Sequence, residues 1–163
     1  MAAAASPYDS RSEVLRGVEW WESQGYKVKL ADGVWERDDY VAGSAQQRGE
    51  DLNALFADPE VDVVQALQGG FGSAQAIPFL DLDLIAANPK PVVGFSDITA
   101  LHIALRQKAG LATIYANGLI GVGSHETTTF SKSRLLDVLR SGVEARCRRT
   151  RTTPGYARSA AAV

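Results

Sequence analysis

The chain holds a single cysteine, Cys147, in 163 residues, which excludes an internal disulfide framework and suits a reducing compartment. Long apolar runs are missing too: none approaches the roughly 20 residues that cross a bilayer, so no membrane partner is expected. Met1–Ala5 is rich in alanine but has neither a basic start nor a long apolar segment, and it does not read as a signal peptide. Acidic residues are absent from 145–163, where five arginines stand, leaving −7 on the rest of a chain whose formal charge is −2. An acidic body does not suggest a nucleic-acid protein, and no aromatic stacking platform accompanies the basic tail, so no nucleic-acid partner is expected.

What is present is ordinary for one soluble globular domain: 45% hydrophobic and 22% charged residues, with enough length for a real core. Strand and helix patterns alternate. Ser10-Arg11-Ser12-Glu13 opens a helix with Val14, Leu15, Val18 and Trp21 on its apolar stripe, and Gly25 stops it. Tyr26–Leu30 alternates apolar and polar residues and reads as a strand. Ser44 opens a second helix with Leu52, Leu55 and Phe56 inward. Strands follow at 61–67, 91–94 and 111–115, separated by helical patterns near 73–80, 82–87 and 97–108. Residues 116–129 read as a loop, and 131–140 as a last helix. This order predicts an α/β fold: a mostly parallel sheet with helices on both faces.

In such sheets ligands bind outside the carboxyl ends of the strands. Two glycine-bearing bends follow strands here, Gly69-Gly70-Phe71-Gly72 and Gly94-Phe95-Ser96-Asp97, so both belong on that edge. The second runs from a short apolar strand directly into a helix pattern. A serine held there can be a nucleophile if helix-start amides trap an oxyanion and a base takes its proton. The plainer reading of Ser96 is a helix N-cap, and that of the glycine run a tight turn. The run is no phosphate loop, since no Lys-Ser or Lys-Thr pair follows. His102 sits two turns along the helix and reads as a packed or surface residue. His125-Glu126 reads as a solvated loop pair, and the Asp97 side chain as one that orders its turn. Arginines around Cys147 would lower its pKa, but its surroundings do not suggest catalysis.

The span from Asp39 to about Gly118 resembles the LD-carboxypeptidase family of serine peptidases. The likeness is carried by Asp39-Tyr40-Val41-Ala42-Gly43, Arg48, Asp51-Leu52-Asn53, Phe56-Ala57-Asp58-Pro59, the Gly69–Gly72 run, Leu80-Asp81, Asn88-Pro89-Lys90-Pro91, Gly94–Thr99 and Thr113. The resemblance implies a cytoplasmic enzyme of cell-wall recycling that removes the terminal D-alanine from murein tetrapeptides. It implies Ser96 as nucleophile and the backbone amides of Gly70 and Asp97 as the oxyanion hole, with no metal or organic cofactor. It implies a murein peptide as substrate and leaves room for a homodimer. The same family includes amidases that inactivate microcin-type peptide–nucleotide antibiotics.

Departures from the pattern are equally specific. Many members carry arginine where Gln68 stands, and a His-Gly-Pro or Tyr-Gly-Pro turn where Ala116-Asn117-Gly118 stands. The family's first strand, before the turn resembling Ser6-Pro7, is missing or reduced to Met1–Ala5, which would leave an unpaired sheet edge. Nothing after Gly142 resembles the second domain that carries the family's catalytic glutamate and histidine. Residues 1–143 therefore read as the nucleophile-bearing α/β domain and 144–163 as an Arg-rich tail, expected to be disordered or derived from a frameshift. The chain alone is expected to be incomplete and inactive or nearly so. The alternatives are a non-catalytic remnant that only binds, or a microcin-type antibiotic-inactivating amidase of the same family.

Overall fold

The computed structural model describes residues 1–141; the expectations for 144–163 and Cys147 lie outside the described residues. In chain order the helices are α1 (Arg11–Ser23), α2 (Ala45–Ala57), α3 (Ser73–Ala76), α4 (Leu82–Ala87), α5 (Thr99–Ala104), α6 (Leu119–Gly123) and α7 (Thr129–Arg140). The strands are β1 (Val64–Gln65), β2 (Val92–Gly94) and β3 (Thr113–Tyr115). They form a parallel sheet in the order β1-β2-β3, with Val64 opposite Val92 and Val93 opposite Ile114. Successive strand residues point to opposite faces, and the core divides accordingly. One apolar cluster gathers Val64, Val92, Leu52, Phe56, Ile85, Ile98 and Leu101, under α2, α4 and α5. The other gathers Leu67, Val93, Val14, Trp21, Leu119 and Leu135, under α1, α6 and α7. The fold class read from the sequence is the fold observed, with helices on both faces.

The edge beside β1 is occupied. Ala2–Ala5 are buried, and Ala2 bridges Ala66 in parallel, its amide donating to Gln65 O at 3.0 Å and its carbonyl accepting from Leu67 N at 2.7 Å. Residues 26–30 form no ladder strand of their own. They run past Met1, whose ammonium donates to Lys29 O at 2.6 Å and whose carbonyl accepts from Ala31 N at 2.9 Å. Burial lowers the pKa of that ammonium to about 6, against a smaller raising effect from Asp51.

The loop expected at 116–129 contains α6. Its first amides continue the sheet's bonding, Leu119 N to Ala66 O at 3.0 Å and Ile120 N to Leu67 O at 3.1 Å. Gly118 makes this approach possible, since a Cβ there would lie 2.6 Å from Leu67 O. Ser44 caps α2 by accepting from Gln47 N at 3.1 Å, and α1 ends before Gly25. Among the described residues no helix is long and apolar enough to cross a membrane.

Candidate active site

Ser96 follows β2 and starts the helical run that becomes α5. It is exposed, and its φ is +56°, a left-handed conformation that residues with a Cβ rarely adopt. The N-cap position falls on Phe95, and the Ser96 hydroxyl makes no hydrogen bond among the described residues, so the plain N-cap reading of Ser96 does not hold. The bend is tight because Gly94 packs against the turn it leads into: a Cβ there would lie 2.5 Å from Ile98 Cγ2. Two bonds pin the serine's own backbone. Its amide donates to Tyr115 Oη at 3.1 Å, and its carbonyl accepts from Thr99 Oγ1 at 2.6 Å.

The glycine run after β1 lies against this bend. A Cβ on Gly69 would meet Ser96 Cβ at 2.9 Å and Ser96 Oγ at 3.4 Å, so only glycine lets the two turns touch. Gly70 has φ +106° and Gly72 +110°. Asp97 ties the bends together: its Oδ2 accepts from Ser73 N at 2.8 Å, and its main-chain carbonyl accepts from Ser73 Oγ at 2.5 Å. The Asp97 side chain thus orders the turn, as the sequence suggested. The amides of Gly70 and Asp97 donate to no acceptor among the described residues.

Arg48 supports the site from below. It is 1% exposed and donates to Gly43 O, to Gly72 O at 3.2 Å and to Gln75 Oε1 at 2.9 Å, while its Nε has no partner among the described residues. Burial lowers its pKa from the ordinary value, opposed by Asp38 and Asp97.

His102 is packed, the first of the two readings the sequence left open. Its Nε2 pairs with Gly94 O at 3.1 Å, directly behind the bend, and its Nδ1 is buried without a partner among the described residues. Desolvation lowers its pKa, and the Gly94 contact offsets part of that. A group so held cannot take a proton from Ser96 without leaving its place. His125 is exposed in the turn after α6 and has no hydrogen bond or ion pair to Ser96 among the described residues. No group of three His, Cys, Asp or Glu side chains suited to a metal ion occurs among the described residues.

A groove of about 390 Å³ opens beside the bend, lined by Phe95, Tyr115, Asn117, Phe130 and Leu135 among others. A larger one, about 560 Å³, lies around Trp21, Tyr26 and Val61 at the amino end of β1, away from Ser96. Phe71, in the glycine run, and Tyr40 are exposed and meet edge-on with ring centroids 5.4 Å apart.

The family model for the LD-carboxypeptidase N-terminal domain matches residues 1–116. The chain belongs to the LD-carboxypeptidase family. The murein tetrapeptide carboxypeptidase of Pseudomonas aeruginosa is 40% identical over 122 residues, 74% of this chain and 38% of that protein. The microcin C7 self-immunity protein MccF of Escherichia coli is 34% identical over 125 residues, 76% of this chain and 36% of that protein. A solved structure of MccF in complex with aspartyl sulfamoyl adenosine superposes with a TM-score of 0.81 at 29% identity, covering 88% of this chain and 44% of that one. The chain thus spans less than half the length of these LD-carboxypeptidase relatives.

Sequence reasoning placed Ser96, Gly70 and Asp97 on one edge, and they lie on adjoining bends. It missed Tyr115 and Ser73 as supports. Tyr115 ends a strand on the ligand edge, which is the signal that would have singled it out.

Proposed function

We propose that the chain carries the nucleophile of a cytoplasmic LD-carboxypeptidase that removes the terminal D-alanine from murein tetrapeptides. The observation that carries this reading is the exposed Ser96 at φ +56°, set against the Gly69–Gly70 bend on the carboxyl edge of a parallel sheet. Ser96 Oγ attacks the carbonyl of the residue preceding D-alanine. The tetrahedral oxyanion is held by the Gly70 and Asp97 amides, which donate to no acceptor among the described residues; D-alanine leaves as its amine takes the proton that a base removed from Ser96, and water then hydrolyses the Ser96 ester to free the shortened peptide. Neither histidine described here serves as the base. In the family that role, with a glutamate to orient it, belongs to a second domain.

By itself this 163-residue chain therefore binds its peptide and turns it over little, since an unactivated serine loses on the order of 10³-fold or more. Calorimetry with a murein tetrapeptide, alongside D-alanine release, tests this. Binding without release is expected. Release at an ordinary enzymatic rate would return His102 and His125 to the reckoning. No binding at all would sink the substrate assignment. The nucleotide sequence downstream of the gene tests the tail: a frameshift origin requires an open frame for a family-like second domain there. A homodimer is compatible with this reading, and sedimentation measures it.

A second reading has its own support. The resemblance to MccF spans as much of the chain, and the exposed Phe71 and Tyr40 rings beside the bend give an aromatic wall on which a nucleobase can stack. An aminoacyl sulfamoyl adenosine compared with the tetrapeptide in the same calorimeter separates an amidase of peptide–nucleotides from a murein peptidase.

A further inference from the structure

We propose that Ser6 is a positioning residue that sets the direction of the Gly70 amide; this rests on the reading of that amide as an oxyanion donor. Gly70 is joined to its neighbours by two peptide units, and Ser6 holds both. The Ser6 amide donates to Gly69 O at 3.2 Å, which fixes the Gly69–Gly70 unit. Ser6 Oγ accepts from Phe71 N at 3.1 Å, which fixes the Gly70–Phe71 unit. The hydroxyl proton is committed elsewhere, donating to Tyr40 O at 2.9 Å, so the oxygen offers its lone pairs to Phe71 N–H.

The direction follows from peptide geometry. In a planar trans unit the C=O and N–H point opposite ways. Drawing Gly69 O onto Ser6 therefore turns Gly70 N–H away from Ser6, on a bend whose Gly69 abuts Ser96. The φ of +106° at Gly70 belongs to the same clamp, because a Cβ there would sit 2.2 Å from Ser6 Oγ. Next to it Gln68 donates to Pro7 O, so the Ser6-Pro7 segment is laid along the whole start of the glycine run. A donor held in this way needs no reorganisation when negative charge develops, which is the property an oxyanion site requires.

The test uses the full chain labelled with ¹⁵N. In the native protein the Phe71 amide is expected to exchange at least tenfold more slowly than an unprotected amide although the residue is exposed; an unprotected Phe71 amide overturns the proposal without any variant. Ser6→Ala should speed Phe71 exchange at least tenfold and shift the Gly70 amide resonance, with the Asp97 resonance left in place. It should also weaken, at least tenfold, a murein-peptide boronic acid that closes on Ser96, read as tetrahedral boron by ¹¹B NMR. Ser6→Thr, which keeps the hydroxyl, should restore both. Exchange and boronate affinity within twofold of native in Ser6→Ala would overturn the clamp. A native chain that gives no tetrahedral boron while Ser6→Ala still frees Phe71 would refute the hydrolase reading and leave the clamp standing.

Discussion

Ser73 and Asp97, 24 residues apart, are joined twice: Ser73 N donates to Asp97 Oδ2 at 2.8 Å and Ser73 Oγ to Asp97 O at 2.5 Å. The pair locks the turn after β1 to the turn after β2 at the place where both meet Ser96. Ser73 is fully buried, so losing the carboxylate leaves its amide without an acceptor. Asp97→Ala is expected to destabilise the chain by roughly 1–3 kcal/mol, the penalty for a buried donor left unpaired. Urea unfolding measures it. Asp97→Asn, which keeps an acceptor oxygen, should cost less; an equal cost would assign the effect to something other than this bond.

Ser96 adds strain at the same spot. A residue with a Cβ held in the left-handed region carries a cost on the order of 1 kcal/mol or more. Ser96→Gly is therefore expected to raise stability by about 1 kcal/mol while abolishing any adduct with a serine-directed reagent. An unchanged or lower urea midpoint would show that the bend is not strained. The strain has a use in presentation, because the same φ that costs stability leaves the hydroxyl exposed at the strand's end.

How much of this was legible beforehand differs from element to element. Ser44, Gly25 and the two glycine bends announced themselves because their roles are local: a cap, a stop and a tight turn follow from neighbouring residues alone. Met1–Ala5 left its role open, a first strand either missing or reduced to these residues, because alanine has little strand preference. The segment is held there by Gln65, Leu67 and Ala31, 30 or more residues away. For the same reason α6 was hidden in a glycine- and threonine-rich stretch: its start is fixed by Ala66 and Leu67 carbonyls. At the site, the sequence placed Ser96 at a bend but could not give its φ, which depends on Gly69, Tyr115 and Thr99 closing around it.

His102 gives a pH dependence with a definite sign. Its pKa in the folded chain lies below the ordinary 6.5, chiefly through desolvation. Between the folded and unfolded values the unfolded chain binds more protons, so stability falls as pH drops through 6.5 and levels off once the folded imidazole also protonates. The Met1 ammonium, lowered to about 6 from 8.0, acts in the same direction at slightly higher pH. Urea midpoints at pH 8 and pH 5 in native and His102→Gln chains separate the two. The variant keeps the Met1 contribution and should lose part of the fall. A pH profile identical to native would mean that His102 does not titrate differently in the folded state.

Arg48 is the most consequential support under the site. Its guanidinium is buried yet forms no ion pair among the described residues, binding instead the carbonyls of Gly43 and Gly72 and the Gln75 amide oxygen. Two effects compete on its removal. Relieving a desolvated charge favours an apolar replacement. Against that, two main-chain carbonyls lose charged donors, at roughly 1–3 kcal/mol for each group left unpaired. The second effect should win, because the Gly72 turn is packed against Val41 as well as Arg48: a Cβ on Gly72 would stand 2.9 Å from Val41 Cγ1. Arg48→Met is therefore expected to lower stability by about 2–4 kcal/mol and to speed amide exchange at Ser73. Arg48→Lys should fare little better, since a single ammonium lacks the planar fork that spans the Gly43 and Gly72 turns. A lysine variant as stable as native, with Ser73 still protected, would show that charge alone suffices and that the fork geometry has no part in holding the glycine bend against Ser96.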